Sequence, residues 1–152
     1  MGLKKTELEL SPEVNGVVTL HGKPITGAKV HRYLSYGDKE FNDNVRTDVD
    51  GRFTLPVKTA KIRVSPMLDT WVSQVLVVEH ADKKIEIWTA GATSVLDSDS
   101  IKLLLSGIYC ELSAPEMKIG LSRKNPQSPL LWMVSTCNFK HDDIIIEKGL
   151  NK

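Results

Sequence analysis

Residues 14–30 read V-N-G-V-V-T-L-H-G-K-P-I-T-G-A-K-V, and residues 47–57 read T-D-V-D-G-R-F-T-L-P-V. Both blocks alternate apolar and polar side chains, the period of a half-buried strand. Val14, Gly16, Val18 and Leu20 fall on one face, with Asn15, Val17, Thr19 and His21 on the other. Beyond the Lys23-Pro24-Ile25-Thr26-Gly27 turn, Ala28, Val30, Arg32 and Leu34 alternate with Lys29, His31, Tyr33 and Ser35. Pro24 presets the φ of its turn, and Gly51 supplies a positive φ after Asp50. Phe53, Leu55 and Val57 then point to one side, Phe53 sealing a core. Between the blocks, residues 36–44 (Y-G-D-K-E-F-N-D-N) read as a polar loop, with Val45–Asp48 extended again.

Further strands are expected at Lys61–Ser65, Val72–His80, Ile85–Trp88, Ile108–Leu112 and Leu131–Phe139, with an edge strand at Ile144–Ile146. Ala81-Asp82-Lys83-Lys84 makes a hairpin loop and residues 89–100 a long one. Ser100 caps a short helix over Ile101–Leu105 that Gly107 ends, and the Pro-punctuated R-K-N-P-Q-S-P segment is a loop. Many short strands argue for an all-β, antiparallel Greek-key β-sandwich. The 152 residues suit a single domain, with a sandwich core over 10–88 and a C-terminal β extension over 89–152 packed on it. Trp88 and Trp132 are expected in the core.

The pattern resembles the carboxypeptidase-regulatory-like, or transthyretin-like, β-sandwich group. Its members show G-x-V, then G-x-P-[IVL]-x-G-A-x-V, then T-D-x-D-G-x-F-x-[LF]-x. Here these fall on Gly16-Val17-Val18, on Gly22-Lys23-Pro24-Ile25-Thr26-Gly27-Ala28-Lys29-Val30, and on Thr47 through Pro56, about a third of the chain. The E-L-S-P-E-V-N-G entry and the later Cys-bearing strands also resemble small stand-alone bacterial proteins of this type. The resemblance implies a module that supports, docks or binds, and it carries no active site onto any position. The short Tyr-Arg-Gly-Ser-like tail of the transthyretin-like hydrolases of purine breakdown has no counterpart in Gly149-Leu150-Asn151-Lys152.

Lys and Arg total 20 against 19 for Asp and Glu, so no global field points to nucleic acid or a membrane surface. No apolar run approaches the roughly 18–20 residues of a membrane span. The N-terminus lacks the apolar core of a secretory signal and is read as a plain cytosolic start, although Met1-Gly2-Leu3-Lys4-Lys5-Thr6 fits the myristoylation pattern. Cys110 and Cys137 lie in apolar strands, which favours two buried thiols in a reducing compartment. The alternative is a disulfide between neighbouring strands, which goes with export. The expected location is cytoplasmic.

Asp48-Val49-Asp50-Gly51 echoes the opening of a calcium loop, but Phe53 sits at a ligand position and the reading is a turn. Cys137 and His141 have C-x3-H spacing, too little for a zinc site, and no phosphate loop, nucleophile elbow or H-E-x-x-H is present. The expectation is therefore a protein without catalytic activity, cofactor or metal. What remains is surface: His31 and Tyr33 on an outward strand face, joined by Tyr36, Asp38, Glu40, Phe41 and Asp43 of the loop. Aromatics among mixed charges are the chemistry of a protein-binding patch. A second candidate is Trp71 with the residues 66–70. The expected function is an immunity protein of bacteria. It neutralises a secreted antibacterial toxin, a nuclease for instance, by occluding the active site with its acidic loop. The alternative is a surface or periplasmic accessory module binding carbohydrate or peptide. The partner is another protein, with no direct nucleic-acid or membrane contact.

Overall fold

A computed structural model describes residues 5–63, 71–94, 102, 104–122, 131–139 and 145–148. In chain order the strands are β1 (Lys5–Ser11), β2 (Val14–Leu20), β3 (Lys23–Pro24), β4 (Lys29–Tyr36), β5 (Lys39–Arg46), β6 (Arg52–Leu55) and β7 (Lys58–Arg63). There follow β8 (Trp71–His80), β9 (Lys83–Ser94), β10 (Ser106–Glu111), β11 (Met117–Ser122), β12 (Leu131–Ser135), β13 (Cys137–Asn138) and β14 (Ile145–Lys148). One sheet runs β14-β11-β12-β9-β8-β4-β5, a second runs β13-β10-β2-β3 with β6 also on β2, and β1 and β7 form a separate ribbon. The fold is all-β. Among the described residues it is a sandwich antiparallel in every pair but one: β10 lies parallel to β2.

Gly16 permits that parallel neighbour, because a Cβ there would run into the carbonyl oxygen and side chain of Ile108. The two sequence blocks are one structural unit. The buried Thr47 hydroxyl donates to Ile25 O (2.6 Å) and accepts from Ala28 N (2.9 Å), tying the start of the second block to the turn of the first. Gly51, at φ 74°, donates its N–H to Asp48 O, and a Cβ on it would lie 2.6 Å from Val18 O. Asp48 Oδ1 accepts from the backbone N–H groups of Asp50 and Arg52, both at 2.9 Å, so this carboxylate closes a turn.

Of the expected inner faces Val14, Val18, Ala28, Val30 and Leu34 are buried, Gly16 and Leu20 are half-buried, and Thr19, expected on the other face of β2, is buried as well. Phe53 and Leu55 are buried as well, but Val57 is 50% exposed because Pro56 ends β6 before it. The expected loop at 36–44 is a tight turn at Gly37-Asp38 followed by an eight-residue strand, β5, at the edge of the large sheet. β9 runs to Ser94 through the first part of the expected 89–100 loop, and a bulge near Ile87 turns both Ile87 and Trp88 into the core. The strands β1, β3 and β11 go beyond the expected set, and β3 takes Lys23 and Pro24 out of the expected turn, the chain reversing at His21-Gly22 instead. Lys102 and Leu104 have helical backbone, while Ile101, Leu103, Ser100 and the myristoylation residues 1–4 lie outside the described residues. The stretch 89–152 supplies strands to both sheets.

Two apolar clusters fill the interior. The larger gathers Val14, Val30, Phe53, Leu76, Trp88 and Ile108 among others. The smaller holds Leu10, Leu34, Ile62 and Val72, with Leu8, Tyr36, Phe41 and Ala60 packed on it. Arg32, wholly buried, lies on β4 between Val30 of the first cluster and Leu34 of the second. Its Nε and Nη2 donate to Asp43 (2.9 and 2.5 Å), Nη1 to Ser11 Oγ and Pro12 O (3.2 and 3.3 Å), and Nη2 also to Pro56 O (2.7 Å). All five guanidinium donors have an acceptor. Pro12 and Pro56 mark where β1 gives way to β2 and β6 to β7, so Arg32 fills the break between ribbon and sheet.

Cys110 and Cys137 are bonded, opposite each other on β10 and β13 with Cα atoms 4.1 Å apart. This replaces the expectation of two free buried thiols: the register sets the two side chains on one side of a strand pair, within disulfide reach.

Two stability outcomes follow. Asp43→Ala leaves a buried guanidinium unpaired and costs about 3–5 kcal/mol in urea unfolding, whereas Glu40→Ala, on the same strand but exposed, stays within about 0.5 kcal/mol. Replacing both cysteines by Ala removes a bridge spanning 27 residues and costs about 2–4 kcal/mol. Thiol titration of the oxidised, denatured protein finds none free.

Candidate functional site

The β4–β5 hairpin sorts the seven expected contact residues by strand alternation. His31 and Tyr33 of β4 and Glu40 of β5 face outward, Tyr33 being 40% exposed. Asp38 is exposed at the turn. Tyr36 and Phe41 turn inward onto the smaller cluster, and Asp43 turns inward onto Arg32. The hairpin therefore does not bring all seven together: three share the outward face. Trp71 opens β8, and the residues 66–70 beside it lie outside the described residues.

Neighbouring β8 extends this face. Its register sets Ser73, Val75, Val77 and Glu79 opposite Ser35, Tyr33, His31 and Lys29. His31 Nε2 lies 2.9 Å from Glu79 Oε2, and the His31 and Tyr33 rings stack at 5.9 Å between centroids and 15° between planes. The hydrogen bond from His31, with the charges of Lys84 and Lys29, holds the Glu79 carboxyl below its usual value against the opposing effect of burial. Beside Tyr33 is a recess of about 180 Å³ lined by Tyr33, Ser35, Glu40, Asn42, Ser73 and Val75 among others. The imidazole is engaged by a carboxylate on one side and a ring on the other. That arrangement braces Tyr33.

A second hollow, about 330 Å³, lies on the opposite sheet between Tyr109 and Arg52, with Val17, Asn15 and Thr54 in its lining. Register puts Tyr109, Val17 and Arg52 side by side on adjacent strands. Among the described residues no three His, Cys, Asp or Glu side chains converge as a metal site requires, and no helix is long and apolar enough to cross a membrane. Cys137 is held in the disulfide, and His141 lies outside the described residues.

Glu111, at the end of β10, is the functional-looking carboxylate that sequence reasoning missed. It accepts from Thr19 Oγ1 (3.1 Å), His21 N (3.1 Å), Gly22 N (2.7 Å), Ser113 N (2.8 Å) and Ser113 Oγ (2.5 Å). Burial alone raises its pKa, but the donors from Ser113, Gly22 and His21 outweigh it and bring the value to about 2. It closes the His21-Gly22 turn, with Thr19, His21 and Gly22 about 90 positions away in sequence and Ser113 two residues on.

These features define an all-β sandwich whose outward sheet face carries a braced aromatic beside a polar-rimmed recess. Residues 14–115 match the family described as a domain of unknown function, DUF6795, a stretch that opens at the first motif and includes both, and the chain belongs to that family. No curated protein and no solved structure matches the chain.

The Glu111 carboxyl titrates at about 2 when folded against 4.5 as its reference. Its contribution is therefore fully present above pH 4.5 and fades as pH falls toward 2. Glu111→Gln is expected to lower the melting temperature at pH 7 and to give a shallower loss between pH 4.5 and 2 than the unaltered chain. Parallel acid limbs in the two proteins count against the assignment.

Proposed function

We propose that the chain is a non-enzymatic protein-binding sandwich: an immunity-type inhibitor that shields a bacterium from a secreted antibacterial toxin by covering its active cleft. The observation that carries this reading is Tyr33, an exposed ring braced by His31 at the lip of a recess with Ser35, Glu40, Asn42 and Ser73 around it. An aromatic anchor contributes most where a partner desolvates it, while the polar rim orients and excludes water. Val75 and Val77 add apolar surface to the same face. The resemblance to carboxypeptidase-regulatory-like modules, which dock and support, favours a binding role.

Two details of the expectation change. An acidic loop imitating nucleic-acid phosphate no longer motivates a nuclease target, since Asp43 is neutralised by Arg32 and the segment is a strand. The Cys110–Cys137 bond favours an oxidising compartment, such as the periplasm, over the cytoplasm. The toxin would then be one that acts there.

A second reading, an accessory module binding carbohydrate or peptide at the cell surface, draws on the hollow between Tyr109 and Arg52. A ring, a guanidinium, an amide and a hydroxyl over an apolar floor suit a sugar or a peptide segment.

The test is growth of cells lacking this protein. Export of the neighbouring gene's product is expected to arrest them, and co-production of this chain to restore growth. Tyr33→Ala weakens the complex by about 2 kcal/mol or more, roughly thirtyfold in Kd. A neighbouring product harmless to such cells sinks the immunity reading.

A further inference from the structure

Edge strands are usually blunted by charge or covered, because their free N–H and C=O groups recruit other strands. Among the described residues β4 is the one strand paired with β5, which leaves the eight residues Lys39–Arg46 as an open edge. The charges on this edge are arranged in a particular order. Glu40, Asn42, Asn44 and Arg46 all point outward and are exposed. No described residue forms an ion pair with Glu40 or Arg46, and Arg46 Nη1 donates to Gly27 O at 3.0 Å.

Laid antiparallel against a copy of itself about Asp43, the strand is self-complementary. Each Glu40 meets the copy's Arg46, each Asn42 the copy's Asn44, and on the inner side each Phe41 the copy's Val45. Antiparallel pairing keeps directly opposed residues on one face, so charge meets opposite charge, amide meets amide and apolar meets apolar. At the axis the two Asp43 side chains meet, and this pair would repel if free. Each is already held bidentately by its own Arg32, so what meets is two neutralised pairs. Moving the axis to Asn42 sets Phe41 against Asp43 and leaves Glu40 opposite Asn44, which loses the complementarity.

From this we infer that the partner of the β5 edge is a second copy of the chain, joined antiparallel about Asp43, so that the two large sheets become continuous. The dimer sets the two Tyr33 recesses on the same side of the joined sheet, flanking the seam. The inference shares Glu40 and Asn42 with the rim of the Tyr33 recess, but it is tested separately, by association of the chain with itself and without any toxin.

Sedimentation equilibrium of the full, oxidised chain tests it. The unaltered protein is expected to sediment as a dimer, and Glu40→Arg and Arg46→Glu alone each to weaken the association at least tenfold, with unchanged circular dichroism, and unchanged melting at a dilution where every form is monomeric, to exclude misfolding. Mixing the two variants in equal amounts restores dimers. The first variant carries arginine at both seam positions and the second carries glutamate at both, so the mixed dimer has opposite charges in each seam pair. A monomeric unaltered chain, a dimer indifferent to either reversal, or a mixture that stays monomeric overturns the inference.

Discussion

A buried guanidinium is costly unless every donor is met, and Arg32 is the point on which this sandwich is organised. Its five hydrogen bonds reach β5 through Asp43, the end of β1 through Ser11, and both proline breaks through the carbonyls of Pro12 and Pro56. Proline cannot donate to a ladder, so the strand pairs β1–β7 and β2–β6 must part there. The carbonyls freed at the break need donors, Pro12 being buried and Pro56 at the surface. Arg32 supplies them, and Gln74 Nε2 adds a bond to the same Ser11 hydroxyl at 2.6 Å. The two apolar clusters are thus joined by a polar link with its bonds satisfied, not by a gap.

The scaffold was legible where the chain obeys a short-range rule. Alternation placed β2, β4 and β8, but the reversal expected around Pro24 falls at His21-Gly22, and Pro24 itself pairs in β3. The Thr47 hydroxyl explains why the two motif halves occur together, since each half leaves backbone groups that the other satisfies. What could not be read depends on partners distant in sequence. Arg32 stood in an apolar register, V-x-R-x-L, and Asp43 in a matching slot between Phe41 and Val45. Without knowledge that β5 returns beside β4, the polar residues 36–44 look like a loop. An edge strand needs few apolar side chains, so low hydrophobicity there misleads. Glu111 was missed because three of its donors, from Thr19, His21 and Gly22, are brought to it by the parallel β2–β10 pair, leaving only Ser113 as a local partner.

That parallel pair also explains the position of the disulfide. β13 has two residues, too short to hold by its ladder alone, and the Cys110–Cys137 bond fixes it to β10. One residue beyond Cys110, Glu111 grips the β2–β3 turn. One strand from late in the chain is thereby fastened by charge-assisted hydrogen bonds to one neighbour and by a covalent bond to the other, with Gly16 leaving room for it.

The outward face follows from the inward one. A strand alternates strictly, so fixing Arg32 inside forces His31 and Tyr33 outside. The five bonds of Arg32 hold the β4 backbone, and the His31–Glu79 contact links the same stretch of β4 to β8 from the other side. Tyr33 therefore projects from a backbone clamped on both faces. The same clamp acts on β5, where Asp43 locks the edge strand in register with β4. The outward face is held by a residue that lies wholly beneath it.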